Sequence, residues 1–481
     1  MNISHDTSAT NSSLVQPKSY SSVKVTKAAQ IIAIVIGSGA LFLGALDFSI
    51  NVNLPLFRSD LGETLVSVQL IIIMYHGARS GMGFIAGGIS DRFGIKWPLG
   101  AGIILYTIAV GLISLQDSLN PIVLLRIPQG IGVAILFTLA PALVSRAVGQ
   151  DHKGLALGVT LGSMGLGTLA GTLVGGYLGQ EIGWPAIFWA RIPISIALLL
   201  TLVFALNGTL AKPVENRETQ SFDLYGSIVL FATLFIFVLS VSLARVEGWL
   251  SPLPITLFWV TIILGWLFSI ARKRKQFTIL PDGLSSFPGF KSGALSNLLL
   301  TIASFVMWFL FPFYVADVMG RSVFTLGALL ALMAGMNFAG AAIAGWLSDQ
   351  IGDRTVTFTG AVITSIGLVF IGSGGANPTM TYILTATTVI GLGFGIHQAA
   401  VYALTLRKVP SQHSGVTSAA LTVSQTIGTV ISIAIMTSII NWRLSIPETS
   451  FVEAYKFAHF IVALVAIIAG LIVIKPKTGR V

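Results

Sequence analysis

The chain has 481 residues, of which 54% are hydrophobic and 10% charged, so most side chains belong in lipid and a water-soluble fold is excluded. The absence of cysteine excludes a disulfide framework, a thiolate nucleophile and a cysteine-based metal cluster. A net charge of +10 is compatible with a nucleic-acid partner, but the basic residues lie in short segments between apolar runs. We therefore expect an all-α integral membrane protein that does not bind nucleic acid.

Fourteen apolar runs are long enough to span a bilayer, since a membrane-spanning helix needs about 20 residues. We place them at 29–54, 66–89, 95–115, 121–145, 154–178, 186–207, 223–244, 253–271, 290–316, 323–347, 355–374, 380–406, 414–440 and 457–474. Residues 1–28, rich in Ser, Thr and Asn, and residues 475–481 are predicted to be cytoplasmic tails, the first disordered. We expect no cleaved signal peptide, because the first apolar run has no small-residue cleavage site.

The orientation follows from the Lys and Arg residues, which are retained on the cytoplasmic side of a membrane. With the amino terminus inside, the predicted outer segments carry Arg58, Arg321, Arg443 and Lys456, Arg245 borders the outer loop after the seventh span, and the other loop and tail cations lie inside. The basic run 272–275 is then a topology anchor. We predict that both termini are cytoplasmic, in a plasma (inner) membrane.

A short signature follows both the second and the tenth predicted span. In each copy a Gly precedes an Asp by four residues, a second Gly follows three residues later, and a basic residue stands two beyond it. The copies are Gly87, Asp91, Gly94 and Lys96, and Gly345, Asp349, Gly352 and Arg354. Repetition in two halves of a membrane protein is typical of a carrier whose halves rock around a central site.

Four further segments carry a family resemblance. They are Leu46-Asp47-Phe-Ser-Ile-Asn51-Val-Asn53-Leu-Pro55, then Arg126-Ile-Pro-Gln129-Gly130-Ile-Gly132, a glycine ladder at Gly158, Gly167, Gly171, Gly175 and Gly176, and Trp184-Pro-Ala-Ile-Phe188-Trp-Ala-Arg191-Ile-Pro193 at the start of the sixth span. With the repeated signature, they resemble the major facilitator superfamily, and within it the fourteen-span drug:proton antiporter branch. The resemblance implies two six-helix halves with pseudo-two-fold symmetry, 29–207 and 290–474, separated at 208–289 by two extra transmembrane helices and a linker.

The resemblance also implies gating residues, namely Gly87, Asp91, Arg92, Gly94, Gly158, Gly167, Gly171, Gly175, Gly176 and Asp349. Two positions depart from the family pattern. Thr172 stands where proline is usual, which weakens, without removing, the implication of the resemblance that the fifth helix bends to seal the outward route. Arg191 stands where asparagine is usual.

Asp47 is the one acidic residue that we place well inside a span, where an ionised carboxylate is costly unless it is paired. A carboxyl group that moves between a buried and a paired environment gains and loses a proton, so Asp47 is the candidate coupling residue. Arg126, at a similar depth, is its expected partner. The alternatives are a permanently ion-paired Asp47 that only orients helices, and an Arg126 that snorkels to the interface.

Candidate cargo contacts are polar or aromatic residues within the spans. They are Asn51, Tyr75, His76, Arg79, Asn297, Ser304, Trp308, Asn337, Gln398 and Tyr402. Arg79, Arg126 and Arg191 raise the possibility of anionic or zwitterionic cargo. His76 and His397 could titrate near neutral pH, but a lone His in a helix is more often a hydrogen-bonded structural residue. For Asn337, Gln398 and Tyr402, hydrogen bonding between helices is an equally good explanation.

The function predicted from these observations is proton-coupled export of an amphipathic small molecule by a monomer, without enzyme activity, cofactor or bound metal. The chain has no Gly-x-x-x-x-Gly-Lys-Ser/Thr phosphate loop, which argues against direct use of ATP. Uptake by proton symport is one alternative. A non-transporting membrane sensor or a membrane-embedded transferase is another.

Overall fold

The structure is a computed structural model that describes residues 26–148, 150–206, 224–274, 287, 289–406 and 414–474. These residues form fourteen long helices and, within the described ranges, no strand. In chain order the helices are α1 Lys27–Asp60, α2 Leu65–Phe93, α3 Lys96–Ile113, α4 Leu119–Ala147, α5 Gln150–Glu181, α6 Ala186–Ala205, α7 Leu224–Glu247, α8 Pro252–Arg274, α9 Phe290–Val318, α10 Val323–Ile351, α11 Asp353–Gly372, α12 Met380–Leu406, α13 Ser414–Leu444 and α14 Phe451–Ile474.

Each helix corresponds to one predicted span, which confirms the all-α membrane architecture. Thirteen of the helices are long and apolar enough to cross a membrane. The other is α2, which at 29 residues is also long enough. It carries Gln69, His76 and Arg79 along its length, so its apolar character is weaker.

The helices α1 and α9, first in each set of six, are irregular near their middles. In α1 a 3₁₀ turn at Leu46–Phe48 separates two α-helical segments, and Pro55 follows within the second. In α9 short segments replace a continuous helix after Ser304, and a π turn occupies Tyr314–Val318. Irregular backbone at membrane depth is tolerated where it lines an internal site, so these two helices indicate where that site lies.

Helices α1–α6 and α9–α14 are here called the amino-terminal and carboxy-terminal groups. The helix α7 packs against α2 of the first group and α13 of the second, so it covers one seam between them. Glycines of α2 permit this approach, because a Cβ at Gly81 would lie 2.6 Å from the Cα of Phe231 on α7. The helix α8 packs on α7 and exposes most of its surface, as expected for a lipid-facing helix.

The two groups also meet at the Arg58 end of α1. Both guanidinium Nη atoms of Arg58 lie 2.7 Å from the carboxylate oxygens of Asp317 on α9, and the same guanidinium lies 5.2 Å from the ring centroid of Phe313. Toward the opposite end of α5 and α10, a Cβ at Gly162 or Gly345 would meet nothing within 4 Å. The groups are therefore bridged at one end, and these glycines face open space toward the other.

Candidate functional site

The 3₁₀ turn of α1 places Asp47 among polar side chains from α4 and α6. The carboxyl group is buried, with 6% exposure. Its Oδ1 atom forms an ion pair with Arg191 Nη1, accepts a 2.7 Å hydrogen bond from Gln129 Nε2, and lies 3.7 Å from Arg126 Nη1. Asp47 is therefore paired to two guanidinium groups at membrane depth, the environment that a buried charge requires.

Arg191 uses both arms of its guanidinium group on α1. Besides Asp47, it donates to the hydroxyl of Ser49 and, at 3.1 Å, to the carbonyl oxygen of Leu46. The hydroxyl of Tyr106 lies 3.5 Å from Nη1. The planar guanidinium group holds its N–H donors in a fork that reaches several acceptors at once, which a lysine ammonium does not reproduce. Arg191 thus links α6 to the irregular turn of α1.

Arg126 is held by a separate set of contacts. Its Nε donates to the carbonyl oxygen of Ile71 at 2.9 Å, and its Nη1 donates to Gln129 Oε1 at 2.5 Å. The guanidinium carbon lies 4.2 Å from the ring centroid of Tyr75, a cation–π distance. The residue is 2% exposed, so it does not snorkel to the membrane surface.

The structure adds residues to the expected pair of Asp47 and Arg126. Arg191, named above only among the arginines that could favour anionic cargo, is the nearer cation. The sequence feature that singled out Arg191 is that the family usually has asparagine at this position. Gln129 lies three residues after Arg126 and hence on the same face of α4, a spacing that could have identified it. Asp47 Oδ2 is buried and has no hydrogen-bond partner among the described residues.

The glycine ladder of α5 lies directly against the backbone of α1. Four-residue spacing aligns three of its members on that face, namely Gly167, Gly171 and Gly175. A Cβ at Gly171 would lie 2.8 Å from the carbonyl oxygen of Leu46, beside Asp47. On another face of α5, a Cβ at Gly176 would lie 3.2 Å from Gly327 of α10. Small residues let helix backbones approach closely, so α5 joins the Asp47 turn to the carboxy-terminal group.

The helix α5 runs unbroken through Thr172, where the family usually has proline. The Thr172 hydroxyl donates to the carbonyl oxygen of Thr168 at 3.0 Å, and the α-helix is continuous from Gln150 to Glu181. The bend suggested by the resemblance has no proline to cause it here.

The repeated loop signature ends α2 and α10 in the same way. Gly94 and Gly352 both have φ of +84°, a region that favours glycine. A Cβ at Gly87 would have its nearest neighbour at 4.0 Å, so that position is not tightly packed. The side chains of Asp91, Arg92 and Asp349, and the surroundings of Gly158, lie outside the described residues, so their gating roles remain predictions.

Three of the predicted cargo residues line one pocket. They are Ser304 and Trp308 on α9 and Asn337 on α10, and the remaining wall consists of Met333, Ile390, Gly391 and Phe394. The Ser304 hydroxyl is buried without a hydrogen-bond partner in the described part of the chain. Trp308 packs on Phe48 of α1 with ring centroids 4.6 Å apart. The pocket therefore lies beside the Asp47 turn, where the two groups meet.

Other polar residues of the carboxy-terminal group are engaged in helix packing. Asn297 Nδ2 donates to Ser424 Oγ at 2.9 Å and to a backbone carbonyl of α13 at 3.0 Å. His397 Nε2 lies 2.9 Å from Ser296 Oγ, which donates to a backbone carbonyl of α14. Gln398 is half-buried on α12. For Asn297 and His397, hydrogen bonding between helices accounts for the side chain.

Arg79 differs from the other two intramembrane arginines. It is half-buried, and its guanidinium carbon lies 4.9 Å from the ring centroid of Phe137 on α4. Within the described residues it forms no ion pair. His76 Nδ1 and Asn51 Oδ1 are buried and have no hydrogen-bond partner there either. Tyr402, half-buried on α12, lies within electrostatic range of Arg79.

Comparison with known proteins agrees with this architecture. The riboflavin transporter RibZ of Clostridioides difficile (strain 630) is 26% identical over 450 residues, covering 92% of this chain and 96% of that protein. The tetracenomycin C resistance and export protein of Streptomyces glaucescens is 25% identical over 414 residues, covering 85% and 76%. The cephamycin export protein CmcT of Amycolatopsis lactamdurans is 24% identical over 461 residues, covering 93% of each chain.

Solved structures share the fold at lower identity. The crystal structure of the peptide transporter POT in complex with sulfate superposes with a TM-score of 0.68 at 15% identity, covering 92% of this chain and 93% of that one. The family model of the Major Facilitator Superfamily matches residues 36–433, most of the chain. A transporter fold of two helix groups, a polar site at their centre and this match lead to one conclusion: the chain belongs to the Major Facilitator Superfamily.

Proposed function

We propose that this protein exports amphipathic small molecules in exchange for protons, as a monomer of the fourteen-span drug:proton antiporter branch in the plasma membrane. The observation that carries the proposal is the buried Asp47 carboxylate, paired with Arg191 at membrane depth. Relatives at 24–25% identity that are named as export proteins support the direction of transport.

Proton exchange at Asp47 would change the contacts between α1 and α6. Protonation removes the negative charge that Arg191 and Gln129 now engage, and Oδ2, which lacks a hydrogen-bond partner, is free to take the proton. Without that charge the α1 turn loses its strongest attraction to α6. A proton thus shifts the balance between two arrangements of the helices, as coupling requires.

Alternating access would use the bridged end of the molecule as its closed gate. On the orientation predicted from the basic residues, the Arg58–Asp317 bridge lies outside, so this conformation faces the cytoplasm. Cargo would enter from that side and reach the pocket at Trp308. The cavity volume of the pocket is only about 10 Å³, roughly what one water molecule needs, so the groups must move apart to admit cargo.

Inside-out vesicles with an acidic lumen test this proposal. Ethidium, a lipophilic cation, and carboxyfluorescein, an organic anion, serve as probes. Wild-type protein is expected to accumulate at least one of them in the lumen, and Asp47→Asn to abolish the gradient-driven part. Asp60→Asn is the matched control, because the same change falls on an exposed residue of the same helix.

Undiminished gradient-driven accumulation in Asp47→Asn would contradict the coupling role. Accumulation that requires an acidic exterior instead would indicate symport. Neither result would alter the membrane architecture.

A further inference from the structure

The membrane interior holds more positive than negative charge. Within the described helices, Arg79, Arg126 and Arg191 lie away from the helix ends, and the one carboxylate placed similarly is that of Asp47. Arg126 and Arg191 both direct guanidinium nitrogens at Asp47 Oδ1. Arg79 remains without an acidic partner in the described part of the protein. An unpaired cation at membrane depth is costly, so such a residue is a candidate functional site.

The contacts of Arg79 leave donors available. One face of its guanidinium lies against the Phe137 ring at 4.9 Å, and the side chain is half-buried rather than enclosed. A cation–π contact attracts the charge but accepts none of its N–H groups. No hydrogen bond from this guanidinium to a described residue is formed, whereas Arg126 and Arg191 each donate to two or more acceptors. The Arg79 fork is therefore free to hold an anion.

Arg79 lies where both helix groups come together. Phe137 belongs to α4 of the amino-terminal group, and Tyr402, within electrostatic range, belongs to α12 of the carboxy-terminal group. His76, one turn before Arg79 on α2, packs edge-on against Phe305 of α9 with ring centroids 5.9 Å apart. A ligand held by Arg79 would thus meet aromatic surface from both groups.

We propose that Arg79 is the anion-binding subsite of the cargo site, and that the cargo class is an aromatic or apolar molecule carrying one carboxylate, sulfonate or phosphate group. Two acidic oxygens accept hydrogen bonds from the guanidinium fork, and the apolar body lies on the neighbouring rings. This inference rests on the proposed transport function, and it assigns the cargo charge that the sequence leaves open.

A matched pair of dyes tests the subsite by binding, without any transport. Anilinonaphthalene sulfonate and its uncharged parent phenylnaphthylamine share one aromatic body and differ by the sulfonate. Dissociation constants are measured on protein in phosphatidylcholine nanodiscs, with the signal of empty nanodiscs subtracted. Wild type is expected to bind the sulfonate about tenfold or more tightly than the parent, a typical effect of a hydrogen bond to a charged group.

Substitutions of Arg79 test whether this residue binds the sulfonate group. Arg79→Gln is expected to bring the ratio of the two dissociation constants close to one, while Arg79→Lys keeps the charge without the fork and gives an intermediate ratio. Arg321→Gln, on an exposed arginine near the end of α9, is the control and should keep the wild-type ratio.

Equal binding of the two dyes by wild type, or an unchanged ratio in Arg79→Gln, overturns the subsite. If Arg79→Gln does not fold, an unchanged ratio of the two dissociation constants in Arg79→Lys also overturns the subsite. The Asp47→Asn variant separates this inference from the coupling proposal, because dye binding does not need a proton gradient. Wild-type flux in Asp47→Asn together with a lost dye preference in Arg79→Gln would refute coupling and keep the subsite.

Discussion

Replacing Gly171 with alanine tests whether the contact between α5 and α1 positions Asp47. A Cβ at Gly171 would lie 2.8 Å from the carbonyl oxygen and 3.0 Å from the Cα of Leu46, the residue before Asp47. These are backbone atoms, so no side-chain rotation relieves the contact. Carbon atoms pack at about 3.5–4.0 Å, and α1 must therefore move by about 0.5–1 Å.

The expected size of the effect follows from two opposing contributions. Inserting a methyl group into a packed contact costs about 1–3 kcal/mol. Alanine favours a helix over glycine by about 1 kcal/mol, so Gly171→Ala should change the unfolding free energy by about 0–2 kcal/mol in the destabilising direction. Gly162→Ala is the matched control on the same helix, where a Cβ would meet nothing within 4 Å. The gain in helix propensity is the same for both variants, so Gly171→Ala should be less stable than Gly162→Ala by about 1–3 kcal/mol.

Two measurements on purified protein check this prediction. Denaturant titration in detergent gives the difference in stability, and flux into proteoliposomes driven by a proton gradient gives the effect on coupling. Gly171→Ala should lower flux because it displaces the turn that carries Asp47, while Gly162→Ala should leave flux unchanged. Equal stability and equal flux for the two variants would refute the idea that this glycine positions the coupling residue.

Three further predictions concern the gate, the central ion pair and a structural histidine. Arg58→Ala removes one side of the 2.7 Å bridge to α9 and should raise labelling of an engineered pocket cysteine by an impermeant reagent from outside, whereas Arg321→Ala should not; the chain has no native cysteine to interfere. In a double-mutant cycle, Arg191→Gln alone should be strongly destabilising because it leaves the Asp47 charge buried, and adding Asp47→Asn should recover about 0.5–3 kcal/mol; strictly additive effects would count against the pair. His397→Phe should lower stability by about 0.5–1.5 kcal/mol because it removes the hydrogen bond to Ser296, whose hydroxyl keeps its bond to α14, while proton dependence of flux stays as in wild type; a changed proton dependence would assign His397 to the coupling path.

The sequence alone determined the number and type of the helices, because the bilayer imposes a local rule. Every backbone N–H and C=O group at membrane depth needs a partner within its own helix, so length and apolarity reveal each span without knowledge of its neighbours. The repeated glycines Gly94 and Gly352 were visible for a similar reason, since a backbone with φ of +84° favours one residue type.

Tertiary structure decided which polar residues form the site. Asp47 meets Arg191, 144 positions away, and Gln129, 82 positions away, and nothing in the local pattern states which arginine lies nearest. In the sequence, Asn297 and Ser304 are seven residues apart and so lie on one face of a helical span. In the fold the hydrogen bonds of Asn297 are used between helices, while the Ser304 hydroxyl faces a pocket without a partner. Insertion into the membrane depends on each helix by itself, but the partner of a buried polar group depends on how the helices pack.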